Sequence, residues 1–241
     1  VAFYGLVKGC EDYLNQIKVE RIASWGKDVD PEKLHEMINR KVRIEKIAIK
    51  DVKMRTFITE DVNRNEMVQH VYDITYGTVR RNVDTLVVID DSIVRGTTLK
   101  ESIIRMLSRL EPKRIIIVSS SPQIRYPDCY GIDMSKMGDF IAFNAAVELL
   151  KERGKEYLLK DLYEECKELH RNNQLHTVNV VKQIYKSFTN EEITRKIAQL
   201  ITPPDLKIPV DVIFQTIESL HEACPNNLGD WYFTGNYPTP G

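Results

Sequence analysis

TLVVIDDSIVRGTTLKESIIRMLSRL, residues 85–110, spells strand, loop and helix in immediate succession. Leu86 to Ile89 form an unbroken apolar run, the pattern of a parallel-sheet strand covered on both faces. Two carboxylates, Asp90 and Asp91, close it. Apolar side chains return at Leu99, Ile103, Ile104, Leu107 and Leu110 as a helical stripe. Thr98 with Glu101 three residues on has the spacing of a capping box, which would start the helix there. Between strand and helix, Ser92, Ile93, Val94, Arg95, Gly96, Thr97 and Thr98 gather hydroxyls, one glycine and one arginine around a helix amino terminus. Such a terminus carries unpaired N–H groups and about half a positive charge, worth roughly 0.3 to 1 kcal/mol to an anion at an exposed site. The loop therefore reads as a phosphate cradle: Gly96 allows close backbone approach, and Ser92, Thr97 and Thr98 add donors. The acids repel phosphate, and ribose hydroxyls or a magnesium ion are their natural partners. One sugar phosphate held by both halves accounts for the whole segment. An ordinary turn with two solvated Asp and a capped helix is the plain alternative.

The remaining composition sets limits. A chain of 241 residues suffices for one large or two modest domains burying roughly 70 to 75% of the unfolded surface. Its net charge of -1, with both signs spread throughout, favours neither nucleic acid nor an anionic membrane as partner. Cys10, Cys129, Cys166 and Cys224 show no C-x-x-C pair, which argues against a zinc site or disulfide scaffold and points to a reducing, cytoplasmic setting. No apolar run approaches the roughly 18 residues of a membrane span, and the amino terminus lacks the pattern of a signal peptide.

In chain order, Phe3, Leu6, Val7, Cys10, Leu14 and Ile17 predict a core-packing helix over residues 1–17, and residues 19–24 a short strand. Asp30 as cap and Pro31 at the first helical position open a second helix, and residues 41–50 read as an edge strand. A β-prone MRTFI over residues 54–58 precedes the polar TEDVNRNE, a lid over the phosphate site or a plain surface loop, and then a helix over residues 67–76. Arg114 to Val118 makes another buried strand, so that strand, helix and strand form a right-handed crossover whose ligands lie beyond the carboxyl ends of the strands. From that end runs SSSPQIRYPDCYGIDM, where Pro122 and Pro127 stiffen the loop. Arg125, Tyr126 and Tyr130 either face the nucleotide or base side of a pocket or pack among themselves. Helices follow over residues 139–154 and 155–171, from the capping box TNEE at residues 189–192, and over residues 210–223, while His170 and His176 read as surface. The aromatic tail WYFTGNYPTPG must be docked, because free in solvent it would present an apolar patch.

The string VVIDDSIVRGTT resembles the phosphoribosyl pyrophosphate (PRPP) signature of type I phosphoribosyltransferases, and SIVRGTT the version carried by glutamine PRPP amidotransferases. RTFI at residues 55–58, IRYPDCYGIDM at 124–134 and FTGNYP at 233–238 resemble further segments of that family. The resemblance implies an α/β, type I phosphoribosyltransferase fold, a parallel sheet flanked by helices. Residues 1–150 would be the transferase core, lacking its first strand and the amino-terminal glutaminase domain, and residues 151–241 a helical extension with the aromatic tail. The chain is expected to be the carboxyl-terminal part of a longer protein. It implies PRPP binding by Asp90 to Thr98, magnesium on Asp90 and Asp91, and transfer of glutamine-derived ammonia to C1 of PRPP. Purine nucleotides are the expected inhibitors and a homo-oligomer the expected assembly. In the lid, where the family carries a basic cluster, this chain has Gln69 and His70, with Arg64 before and Arg80 and Arg81 after; Arg64 and His70 are the catalytic candidates. Iron–sulfur members have Cys where Asp128, Asn226, Gly229 and Tyr232 stand here, so no such cluster is expected. A non-catalytic PRPP-binding regulator and a purine-salvage phosphoribosyltransferase are the alternatives.

Overall fold

The computed structural model describes residues 2–26, 29–50, 72–75, 77–128, 134–227 and 229–238. Its contacts divide the chain into two units, Val1–Ile49 and Lys50–Gly241. In the first, α1 (Ala2–Ser24) runs unbroken through the residues that suggest a short strand. The cause is helix cooperativity: once nucleated, each added residue gains a backbone bond, and Glu20, Arg21 and Ala23 are good helix formers. No residue of α1 is buried, against the core role its apolar face suggests; Leu6, Leu14 and Ile17 are half-buried. In α2 (Pro31–Asn39) the predicted cap forms, the Asp30 carboxylate accepting from Glu32 N at 3.0 Å. The edge strand contracts to β1 (Ala48–Lys50).

Among the described residues of the second unit, the first strand is β2 (Tyr72–Ile74), where the sequence suggests a helix; Tyr and Ile are β-prone residue types. Its centre is a parallel sheet of β3 (Thr85–Asp90), β4 (Arg114–Ser119) and β5 (Val210–Phe214), in that spatial order. Leu86 stands opposite Ile115 and Val88 opposite Ile117, while Ile115 and Ile117 pair with Val210 and Val212. Paired residues share a face. Leu86, Ile115, Ile117 and Val212 are buried on one side. On the other, Val87 and Ile213 are 54% and 53% exposed, so among the described residues β3 is not covered on both faces.

Strand β5 replaces the first part of the helix expected over residues 210–223. The run VDVIF is β-branched and aromatic, and backbone pairing with β4 decides its state. A short helix, α8 (Ile217–Ala223), follows once Thr216 caps it. Before it come α4 (Ile141–Glu152), α5 (Tyr157–Arg171), α6 (Lys182–Lys186) and α7 (Asn190–Ile201). The capping box of α7 closes in both directions: Thr189 Oγ1 accepts from Glu192 N at 3.2 Å, and Glu192 accepts from Thr189 N at 2.8 Å. Helix α7 lies on β5 and against α4, enclosing Ile193, Ile197 and Ile201 completely, as Ile104, Ile115, Ile117, Phe140 and Leu150 are. Burying each such side chain contributes about 1.5 to 3 kcal/mol.

The crossover from β3 to β4 departs from expectation in detail. The helix starts at Thr97, one residue early, and Gly96 O accepts from Lys100 N at 3.0 Å. Thr98 is itself helical and its hydroxyl caps nothing, so the expected capping box is absent. Leu99–Ile103 forms a π-turn, closed by Ile104 N donating to Leu99 O, before α3 (Ile104–Ser108). Such turns concentrate beside functional sites. Arg105 then makes a two-pronged pair with Asp205 at 2.9 and 3.0 Å, tying the crossover to the connection between α7 and β5.

Candidate functional site

The carboxyl end of β3 delivers Asp90, half-buried, and Asp91, exposed. Each carboxylate is oriented by the next backbone amide: Asp90 Oδ1 accepts from Asp91 N at 3.0 Å, and Asp91 Oδ1 from Ser92 N at 2.6 Å. Burial is the largest influence on Asp90 and raises its pKa above the ordinary carboxylate value; the bond from Asp91 N opposes this and the Asp91 charge reinforces it. Ile93 is 3% exposed and anchors the loop in the core, and Val94 O accepts from Ile141 N, the first amide of α4, at 2.8 Å. Arg95 is exposed, 3.8 Å from the Asp139 carboxylate.

Gly96 takes φ +74°, and a Cβ there would lie 2.8 Å from Ile201 Cγ2 and 3.5 Å from Ile141 Cγ1. The bend aims the helix start outward. Thr97 and Thr98 are both exposed, and their amides belong to the first turn, which has no helical acceptors. Arg95, Thr97 and Thr98 are thus exposed and Ser92 half-buried, while Ile93 and Gly96 hold the loop to the core.

The other sequence candidates divide. Arg125 and Tyr126 turn into a buried cluster. The Arg125 guanidinium donates to Gln123 Oε1 at 2.6 and 3.1 Å and to Asn190 Oδ1 at 2.6 Å, 4.9 Å from the centre of the Tyr185 ring. Burial lowers the Arg125 pKa and pushes that of Tyr126, 3% exposed, up to about 12. Arg64, His70 and Tyr130 lie outside the described residues. Ser120 is the residue that sequence reasoning missed. Its amide donates to Asp90 O at 2.9 Å and its hydroxyl to Asp91 O at 3.0 Å, bracing the acid pair from the end of β4. The signal was the serine run directly after a strand paired to β3. Among the described residues no group of three His, Cys, Asp or Glu gathers in a metal-holding cluster, and no helix is long and apolar enough to cross a membrane.

Comparison with known proteins finds relatives for part of the chain. An amidophosphoribosyltransferase from Haemophilus influenzae is 40% identical over 83 residues, 31% of this chain and 16% of that protein. One from Pseudomonas aeruginosa is 44% identical over 63 residues, 26% of this chain and 12% of that protein. The chain is similar to amidophosphoribosyltransferases. It spans only 16% or less of the length of these curated relatives. No family model matches. Among solved structures, the glutamine PRPP amidotransferase from B. subtilis, complexed with ADP and GMP, covers 81% of this chain with 32% of its own, at 24% identity and a TM-score of 0.43. The three-stranded parallel sheet with its flanking helices is the fold class expected from the sequence.

Proposed function

We propose that the loop and acid pair bind PRPP with magnesium, and that the chain is the phosphoribosyl-transfer part of an amidophosphoribosyltransferase. The observation that carries this is the acid pair at the carboxyl end of a parallel strand, followed at once by a glycine-bent loop whose Thr97 and Thr98 are exposed at the start of a helix. The 5′-phosphate would lie on Thr97 and Thr98, where dipole and donors favour an anion, and the ribose 2′ and 3′ hydroxyls on Asp90 and Asp91. These two carboxylates are hard oxygen donors at a partly open strand end, the kind of set magnesium takes when it shares its shell with substrate phosphates and water. Asp90 and Asp91 would hold the ion, which would help to neutralise negative charge on the pyrophosphate leaving group.

Ammonia derived from glutamine would attack C1. The carbon–nitrogen bond forms as the bond from C1 to the pyrophosphate oxygen breaks; the electron pair leaves with pyrophosphate, a proton passes from nitrogen to water, and 5-phosphoribosylamine, the first committed intermediate of purine synthesis, results. Positioning rather than acid–base chemistry then carries most of the rate. Arg64 and His70 remain the candidates to meet the pyrophosphate. Arg125 and Tyr126 would serve the nucleotide side by shaping its loop, Tyr130 remains a candidate for the same side, and purine nucleotides would inhibit by occupying the phosphate loop.

Calorimetric titration with PRPP, with and without magnesium, followed by ammonia-dependent pyrophosphate release, tests the reading. Asp90→Asn/Asp91→Asn should abolish magnesium-dependent binding while the circular dichroism spectrum stays native. Undiminished affinity in that double variant would refute the assignment.

A further inference from the structure

The loop that follows β4 is held at both ends, and only one end is at the acid pair. Its near end is Ser120, bonded to the backbone of Asp90 and Asp91. Its far end is tied to the carboxyl-terminal segment. A loop without regular structure must find partners for its backbone amides, and here a single carbonyl, Tyr232 O, accepts from Arg125 N at 2.9 Å and Tyr126 N at 3.1 Å. The Tyr232 hydroxyl donates to Asp128 Oδ1 at 3.1 Å, and the Tyr237 hydroxyl to Pro127 O. Gly235, at φ +71°, lays bare backbone on the Tyr126 ring; a Cβ there would come within 2.8 Å of it. The tail in turn has its own anchor, Asn179 Nδ2 donating to Gly235 O at 3.1 Å.

We propose that residues 229–238 form a strap that positions the acid pair through the loop between Ser120 and Asp128, with Tyr232 its principal positioning residue. The loop transmits position because it is stiff: Pro122 is buried and fixes φ, as does Pro127, and Gln123 is pinned by Asn190 O and Thr194 Oγ1 at 3.0 and 2.7 Å. Tyr232 touches Arg125, Tyr126 and Asp128 rather than the acids, so its influence on a ligand is indirect. Such coupling is reciprocal: whatever factor the docked strap adds to ligand affinity, the ligand adds to strap docking. The functional arm rests on the PRPP reading above, whereas the mechanical arm does not.

The test uses the whole chain, with Tyr232→Phe, Gly235→Ala and removal of residues 229–241, and reads residue-resolved amide hydrogen exchange beside calorimetry with PRPP and magnesium. Faster exchange at Arg125, Tyr126 and Ser120 in the variants, PRPP affinity about fivefold or more weaker, and PRPP-induced protection of the Arg125 and Tyr126 amides in the wild type are expected. A strap that merely stabilised the fold would not produce that last, ligand-dependent signal. If the truncated chain unfolds, the two point variants carry the comparison. Unchanged exchange at Arg125 and Tyr126 overturns the strap, and faster exchange there with Ser120 unchanged overturns its link to the acids. Wild-type chain that fails to bind PRPP overturns the proposed function instead, and the Ser120 amide still judges the strap.

Discussion

Gly96→Ala is expected to destabilise the second unit by about 2 to 5 kcal/mol. Two costs add. Holding a residue with a Cβ at φ +74° costs about 1 to 2 kcal/mol. The new methyl would lie 2.8 Å from Ile201 Cγ2, and forcing an extra carbon into a packed core costs about 1 to 3 kcal/mol. Ile201 cannot give way easily: it is fully buried in α7, its Cγ2 is a branch at Cβ rather than a flexible tip, and β-branched χ1 is stiff in a helix. Urea unfolding, followed by Trp231 fluorescence with Trp25→Phe as background, would read this. With a slope near 2 kcal/mol per M, the midpoint should fall by about 1 to 2.5 M at unchanged slope. Ile201→Leu removes Cγ2 at constant volume, so the double-mutant cycle with Gly96→Ala should show about 1 to 2 kcal/mol of favourable coupling while the φ cost persists. A Gly96→Ala loss below about 0.5 kcal/mol, well under the size of either cost, would refute the reasoning. Coupling of zero would refute the clash alone.

Asp90 contributes in the opposite sense. Its pKa is raised in the folded chain, chiefly by burial, so the favourable contribution is fully present below the unfolded value of 3.8 and is lost as pH rises through the folded value. Asp90→Asn should therefore raise the melting temperature at pH 7 and lose that advantage below pH of about 4, even as it removes a proposed metal ligand; a lower melting temperature at pH 7 would contradict the burial argument. Thr189→Ala opens the capping box of α7 and should cost about 1 kcal/mol in the same urea assay. Gln123→Leu leaves the Arg125 guanidinium short of an acceptor at a half-buried site and should cost more, about 2 to 4 kcal/mol, with Gln123→Glu restoring part of it.

The loop and its acids were legible because their signals are local: an apolar run, two carboxylates, a glycine and a helical stripe within 26 residues. The capping boxes show where local reading stops. TNEE formed its box and T-x-x-E at Thr98 did not, although the residue types are equivalent. The difference is that Gly96 had already turned the chain, so the helix began at Thr97 and took Thr98 inside it, and the following π-turn altered the spacing to Glu101. Strand β5 was illegible for a related reason. VDVIF ahead of QTIESLHEA suits either period, and only pairing with β4, about 95 residues earlier in sequence, resolves it. Likewise nothing near Arg125 in sequence predicts that Asn190 and Tyr185 will enclose it.

Gly96 joins the local and non-local readings. From sequence its missing side chain reads as room for a ligand phosphate, yet the space a Cβ would fill is taken by Ile201 and Ile141. The glycine is thus required by packing behind the loop, whatever binds in front of it. That places the polar face of Thr97 and Thr98 at a fixed distance from the core and makes the loop preorganised rather than adaptable, since its bend is set by α7 and the start of α4 before any ligand arrives. Preorganised donors suit a ligand whose charge must be met without further rearrangement. A preorganised loop also predicts its own exchange signature: within residues 92–98 PRPP binding should protect chiefly the Thr97 and Thr98 amides that meet the phosphate, and further ligand-dependent protection should appear at Ser120, Arg125 and Tyr126, where the loop after β4 meets the tail.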